Sequence, residues 1–267
     1  MTMTGDPRDS VRTHQGDGVL EVTLDRPQAN AIDLATSRVL GDVFAGFRDD
    51  PGLRVAILRT AGDKFFSAGW DLKAAAAGDP VDGDYGVGGF GGLQELPGLD
   101  KPVIAAVHGL AMGGGFELAL SCDLIYASES TQFGLPEIKA GTLADAATVK
   151  LPKRIPYHVA MELLLTGRWM PATEAARWGL VNEVLPDDET VRARAWEVAR
   201  LLAVGPPLVF AAIKETARAA ESLSFQEAMD LVTSGSLPTI ATLYASEDQL
   251  EGARAFAEKR KPTWKGR

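Results

Sequence analysis

Along the first half of the chain, short runs of branched apolar residues alternate with stretches of helical spacing. VLEVTLD (19–25) puts Leu20, Val22 and Leu24 on one face of a strand, and RPQAN then breaks it. Asp33 is placed to cap a helix reaching about Phe47, with Leu34, Val39, Val43, Phe44 and Phe47 roughly along one side. RVAILR (54–59) and VIAAV (103–107), short and rich in branched residues, predict buried strands, with LIYAS (124–128) a weaker third. From about Pro156 the pattern turns helical, through HVAMELLL (158–165), ATEAARW (172–178), DETVRARAWEVARLLA (188–203) and a run over 207–218. Two further helical stretches are expected, over about 224–245, broken near Pro238, and over 247–259. The prediction is an α/β core over residues 1–200 and a helical region over 201–267, with no clear linker, heptads or short repeat.

One stretch fits neither period. GDPVDGDYGVGGFGG (78–92) is built of Gly and Asp, cannot pack a core, and is long for a plain connection. It is expected to be either a mobile cover over a site or an ordinary surface loop.

Composition narrows the partners more than the fold. At 46% hydrophobic and 24% charged, the 267 residues are ordinary for a globular chain. The net charge of −9 argues against a general nucleic-acid or membrane-surface partner, because both are anionic. Yet Lys259, Arg260, Lys261, Lys265 and Arg267 crowd the last nine positions, as a solvated tail or as a patch for a phosphate-bearing ligand. Cys122 is the only cysteine, so no internal disulfide is possible and a reducing compartment is expected. The opening MTMTGDPRDSVRTHQ shows no secretion-signal pattern, and no apolar stretch approaches the roughly 20 residues that span a bilayer. A cytoplasmic location is expected.

Few residues suggest chemistry singly. His14, His108 and His158 lie far apart and outside any HExxH or Cys/His cluster, so no metal site is expected. Cys122 lacks a nucleophile signature and reads as core, and Ser67 is not in the GxSxG elbow of hydrolases. Glycine motifs of nucleotide-binding folds are absent from useful places. What remains is a pair of glycine-bearing turns, FFSAGWDL (65–72) and GLAMGGGFELAL (109–120), each following a β-like run and opening a helix. Each turn alone is most simply a packing feature. Together, two N–H groups converging from such turns would hold a carbonyl that becomes an enolate. Glu117 sits at the start of the second helix, where the dipole favours an anion, and Glu137 follows a proline in FGLPEIKAG (133–141). Two carboxylates in one apolar site titrate as a pair, so one can hold a proton while the other acts as base.

FSAGWDL, GGGFELAL and FGLPEI, in this order and at these separations, resemble the crotonase (enoyl-CoA hydratase/isomerase) superfamily. The resemblance runs from LDRPQANAID through TGRWMPATEAARWGLVNEV to the basic tail. Within it, FSAGWDLKAAAAGD (66–79), DKPVIAAV (100–107), MGGGFELAL (112–120) and SEDQLEGARAFAEKRKPTWKGR (246–267) are most similar to the carnitinyl-CoA dehydratase branch. The resemblance implies a spiral of ββα repeats with a C-terminal helical region that packs trimers, often paired into hexamers. It implies an acyl-CoA thioester substrate, no metal or redox cofactor, and coenzyme A only as part of the substrate. Trp70 and Gly114 would donate the two oxyanion N–H groups, Glu117 and Glu137 would be the catalytic carboxylates, and Ala68, Asp71 and Leu72 would line the acyl-CoA path. Tail lysines would reach the CoA phosphates. Both carboxylates together favour addition or loss of water; a general 2-enoyl-CoA hydratase, an enoyl-CoA isomerase and a catalytically silent CoA-thioester-binding protein are the rivals.

The chain departs from the superfamily after Glu137. Where a proline and a glycine-rich turn are usual, it has Ala144, Asp145, Ala146 and Ala147. Backbone N–H groups survive such a change, but positive-φ conformations do not, so a reshaped water pocket with an added charge is expected. A cationic acyl group would suit Trp70, with Tyr85 and Phe90 closing over it if the glycine-rich segment folds inward. The alternative is that Trp70 packs into the core with its N–H bonded elsewhere.

Overall fold

The computed structural model describes residues 6–78, 80 and 82–267. The chain opens with strand β1 (Val11–Gly16), antiparallel to β2 (Val19–Leu24), and helix α1 (Leu34–Asp49), which Asp33 caps by accepting from the Thr36 N–H. Three similar turns follow, each laying one strand in a large sheet and one in a small sheet before a short helix. They are β3 (Val55–Thr60), β4 (Phe65–Ser67) and α2 (Leu72–Ala76); β5 (Val103–Val107), β6 (Leu110–Met112) and α3 (Gly114–Leu120); β7 (Leu124–Ser128), β8 (Gln132–Gly134) and α4 (Glu137–Ala140). Helices α5 (Asp145–Lys150) and α6 (Tyr157–Thr166) lead to β9 (Trp169–Pro171), antiparallel to β8. Helix α7 (Ala172–Arg177) then leads to β10 (Glu183–Leu185), parallel to β7. The large sheet runs β1-β2-β3-β5-β7-β10 and the small one β4-β6-β8-β9. This is the expected spiral of ββα turns. The region after Pro156, however, is not purely helical, since β9 and β10 return to the two sheets.

The main core lies between the sheets and the spiral's helices, around Leu24, Phe44, Phe66, Phe116 and Phe133. On the other face of the large sheet, α8 (Asp188–Ala203) lays Val191, Ala195 and Ala199 over Val19, Val55, Ile57 and Ile104. That cover corrects the one-faced reading of β2, all six residues of which are buried. Glu21 tolerates this burial because Arg192 donates to both its oxygens, at 2.7 and 2.9 Å, and Trp196 Nε1 donates at 2.6 Å.

The buried face of α1 also differs from the expected stripe. It carries Thr36, Ser37, Leu40, Gly41, Phe44 and Phe47, while Leu34, Val39 and Val43 sit at its edge. Its small residues receive the glycine-rich segment, of which residues 79 and 81 lie outside the described residues. The Gly91 N–H donates to Ser37 Oγ at 3.1 Å, and a side chain on Gly92 (φ +74) would run into the Gly41 backbone. The second half of the segment is therefore docked, because two backbones meet where side chains are absent.

Helices α9 (Pro207–Ala220), α10 (Phe225–Thr233), α11 (Pro238–Ala245) and α12 (Asp248–Ala257) complete the chain around a small cluster of Ala212, Leu237 and Ile240. Lys214 Nζ ties α9 to the spiral, donating to Asp123 Oδ2 at 2.6 Å and the Lys101 carbonyl at 2.8 Å. In the tail, Arg260 pairs with Glu251 and Glu258, and Lys265 with Glu247, so part of the basic cluster is matched locally. No single helix among the described residues is long and apolar enough to cross a membrane; α8 and α9 reach that length only as a pair bent by 106°.

Candidate active site

Two turns of the spiral meet at their glycines. After β4, Ile32 pairs with Trp70: the Ile32 N–H donates to the Gly69 carbonyl at 2.8 Å and the Asp71 N–H to the Ile32 carbonyl at 3.0 Å. In such a bridge the bonds run to the flanking residues, so the Trp70 N–H points away from Ile32. After β6, the Gly113 N–H donates to the Gly134 carbonyl at 2.8 Å, and Gly114 begins α3, where an N–H has no acceptor within the helix. Neither the Trp70 nor the Gly114 N–H donates to a partner among the described residues. A side chain on Gly69 (φ +80) would sit 2.6 Å from the Gly114 nitrogen and 2.7 Å from the Met112 carbonyl oxygen. Only glycine permits this approach, which brings the peptide before Trp70 against the start of α3, and both residues line one cleft.

The turn after β4 is held from outside. Arg26 Nη1 donates to Asp71 Oδ2 at 2.6 Å and to the Ala31 carbonyl at 2.8 Å, while Nη2 donates to Asp33 Oδ2 at 2.8 Å. The other Asp71 oxygen accepts from the Lys73 and Ala74 N–H groups and caps α2. Of the three residues expected along the acyl path, Asp71 is thus engaged as a cap, Ala68 donates its N–H to the Ala29 carbonyl, and Leu72 is 60% exposed. These three do not line the cleft described next.

Trp70 and Gly114 open onto a cleft of about 380 Å³ that also holds Glu117 and Glu137. Glu117 lies one helical turn into α3 and is 5% exposed. The Ala147 N–H donates to its Oε1 at 2.8 Å, and Gln94 Nε2 to its Oε2 at 3.4 Å. Burial pushes its pKa up to about 7, outweighing the Ala147 bond and helped by the charges of Asp145 and Glu137. Glu137 opens α4 behind Pro136. Its Oε2 is buried without a partner among the described residues, and burial, with Asp145 nearby, raises its pKa as well. The pair thus favours states in which one carboxyl keeps its proton.

Residues 14–267 match the enoyl-CoA hydratase/isomerase family. The chain belongs to that family. It is 53% identical over 250 residues to carnitinyl-CoA dehydratases of Salmonella typhi and Salmonella typhimurium, covering 93% of this chain and 95% of theirs. Its structure is similar to an enoyl-CoA hydratase from Mycobacterium tuberculosis, at 40% identity and a TM-score of 0.87, covering 97% of this chain and 99% of the other. A carnitinyl-CoA hydratase from Mycobacterium avium shares 40% identity and a TM-score of 0.74 over the same fractions.

Family membership throws the departure after Glu137 into relief. Ala144 (φ −80) caps α5 with an ordinary backbone, and Ala147 supplies the N–H that holds Glu117. No positive φ is needed here, so alanine serves, and Asp145 is added to the cleft wall. Trp70 is half-buried against the cleft, and its Nε1 has no hydrogen-bond partner among the described residues, unlike a core indole bonded elsewhere. The sequence placed Ala147 at the water pocket without its bond to Glu117, and gave no sign of Gln94 or Lys150. Their roles arise from contacts across 23 to 30 residues that no local spacing reveals. Cys122, read as core, is buried, and that burial pushes its thiol up to about 12.

Proposed function

We propose that the protein is a reversible hydro-lyase that removes water from carnitinyl-CoA to give crotonobetainyl-CoA, or adds it back. The carrying observation is the cleft in which two raised-pKa carboxyls adjoin two unpartnered backbone N–H groups. In dehydration, ionised Glu137 takes the C2 proton, and the electrons pass to the thioester oxygen, held by the Trp70 and Gly114 N–H groups. Collapse of that enolate forms the C2–C3 double bond and expels the C3 hydroxyl, which leaves as water with the Glu117 proton. Hydration is the reverse, with Glu117 as base on water. Only protons and water move, so the reaction calls for no redox or metal cofactor. We place the enzyme in the cytoplasm, as a homotrimer or dimer of trimers, with tail lysines reaching CoA phosphates.

A general 2-enoyl-CoA hydratase is the second reading, favoured by the likeness to the M. tuberculosis hydratase. Steady-state turnover of crotonobetainyl-CoA against crotonyl-CoA separates the two: the first reading expects a clear preference for the cationic substrate, and a preference for crotonyl-CoA selects the second. Glu117→Gln and Glu137→Gln should each lower kcat by roughly 10²–10⁴ with acyl-CoA binding kept, and the double variant should lose far less than the product. Near-normal turnover in either single variant removes that residue from the mechanism.

A further inference from the structure

The cleft carries a charge imbalance that the proton transfers do not use. Besides Glu117 and Glu137 it is lined by Glu95 and Asp145, with Lys150 as the one cationic side chain among the described lining residues. Lys150 is itself engaged, donating from Nζ to Ser121 Oγ at 2.9 Å. The rest of the wall sets the aromatic Trp70, Tyr85 and Phe90 beside aliphatic residues such as Leu143 and Val149. Tyr85 and Phe90 meet edge to face, with centroids 5.5 Å apart at 71°, and the Phe90 ring lies against Gly114 beside the free N–H groups.

Asp145 opens α5 on the cleft wall, exposed, with Oδ1 accepting from the Ala146 N–H at 2.8 Å, two residues before Ala147, whose N–H holds Glu117. A neutral acyl chain gains nothing from this charge, and like charges crowded in a partly desolvated cleft repel one another. A permanent ammonium reverses the sign. It cannot shed its charge to enter an apolar pocket, ring faces attract it, and a carboxylate balances it. On the hydro-lyase reading above, on which this inference rests, a group on C4 lies two bonds from the carbon that gains or loses water.

We propose that the corner between the Tyr85–Phe90 ring pair and Asp145 is the subsite for a permanent cation on the acyl chain, with Asp145 as the specificity-determining residue. The test compares crotonobetainyl-CoA with 5,5-dimethylhex-2-enoyl-CoA, in which the quaternary nitrogen is replaced by carbon at nearly unchanged shape. The readout is the ratio of kcat/KM for the charged to the neutral substrate, in which any effect of Asp145 common to both cancels. Asp145→Asn and Tyr85→Leu should each lower that ratio, the former by roughly tenfold, while Asp145→Glu retains most of it. Equal losses on both substrates in Asp145→Asn, or an unchanged ratio, overturn the subsite and leave the hydro-lyase reading standing. A wild type that hydrates crotonyl-CoA but discriminates against the cation overturns the subsite and the carnitinyl-CoA assignment. Failure to hydrate any of these thioesters overturns the hydro-lyase reading itself.

Discussion

The Glu117 carboxyl, nearly closed off from solvent, holds its proton to about pH 7 in the folded protein, while an ordinary glutamate ionises near 4.5. A raised folded-state pKa stabilises the fold below the unfolded value, and that stability is lost as pH climbs through the folded one. Glu117→Gln keeps an oxygen for the Ala147 N–H and removes the titration. It should therefore unfold at higher denaturant than wild type at pH 8, by roughly 1–3 kcal/mol, with the gap closing by about pH 4. Parallel urea curves at both pH values would contradict the burial argument. On the proposed mechanism the same pair sets the rate. Each direction of the reaction needs one proton shared between Glu117 and Glu137, so kcat/KM should be bell-shaped, with at least one limb near pH 7. A flat profile from pH 5 to 9 would exclude such sharing. Both glutamates and both glycine turns were legible in the chain because each follows a short apolar run at a short, fixed spacing. Gln94 and Lys150 were not, since nothing next to them in sequence hints at what they meet.

At the level of elements, branched runs long enough to show a period were readable: β2, β3, β5 and β7 lie where the pattern puts them. Of the three-residue strands, β4 was anticipated in the β-like run at Phe65, while β6, β8, β9 and β10 were not. Three residues carry no periodicity, and these strands exist only through pairing with distant partners. The α1 face was misread for a related reason: its small residues are buried by a neighbouring glycine segment, which hydrophobicity does not register. The Arg26 fork joins the cap of α1 to that of α2 and thereby fixes the peptide that presents the Trp70 N–H. Arg26→Met would leave two part-buried carboxylates unbalanced, costing about 2–4 kcal/mol of stability. It should also lower kcat beyond what the stability loss explains, because the Trp70 N–H loses its aim. Denaturation combined with kinetics well below the melting point separates the two effects.

Across the whole molecule, the C-terminal helices only partly satisfy their own apolar residues. Val232 and Leu243 pack against the small cluster at Ile240, whereas Phe225 and Phe256 are 80% and 87% exposed and Met229 is exposed as well. Large side chains left in water in this way favour a protein partner. Closed homo-oligomers are the commonest outcome for such surfaces. Sedimentation at micromolar concentration should give a trimer or hexamer, and Phe225→Glu combined with Phe256→Glu should shift it toward smaller species. A well-folded wild-type monomer would refute the assembly.

The docking of the glycine-rich segment on α1 carries one more consequence. The carboxyl pair and two of the cleft's three aromatic residues belong to different pieces of chain: Glu117 and Glu137 sit on the spiral with Trp70, while Tyr85 and Phe90 ride on a segment anchored at Gly91 and Gly92. The Tyr85 side chain touches neither carboxyl and can change without disturbing the pair, whereas Gly88 is held by the anchor, since a side chain there would run into the Gly92 backbone. On the proposed mechanism, selection can therefore retune which thioesters are accepted through a ring position on this segment, and leave the proton-transfer pair inherited whole.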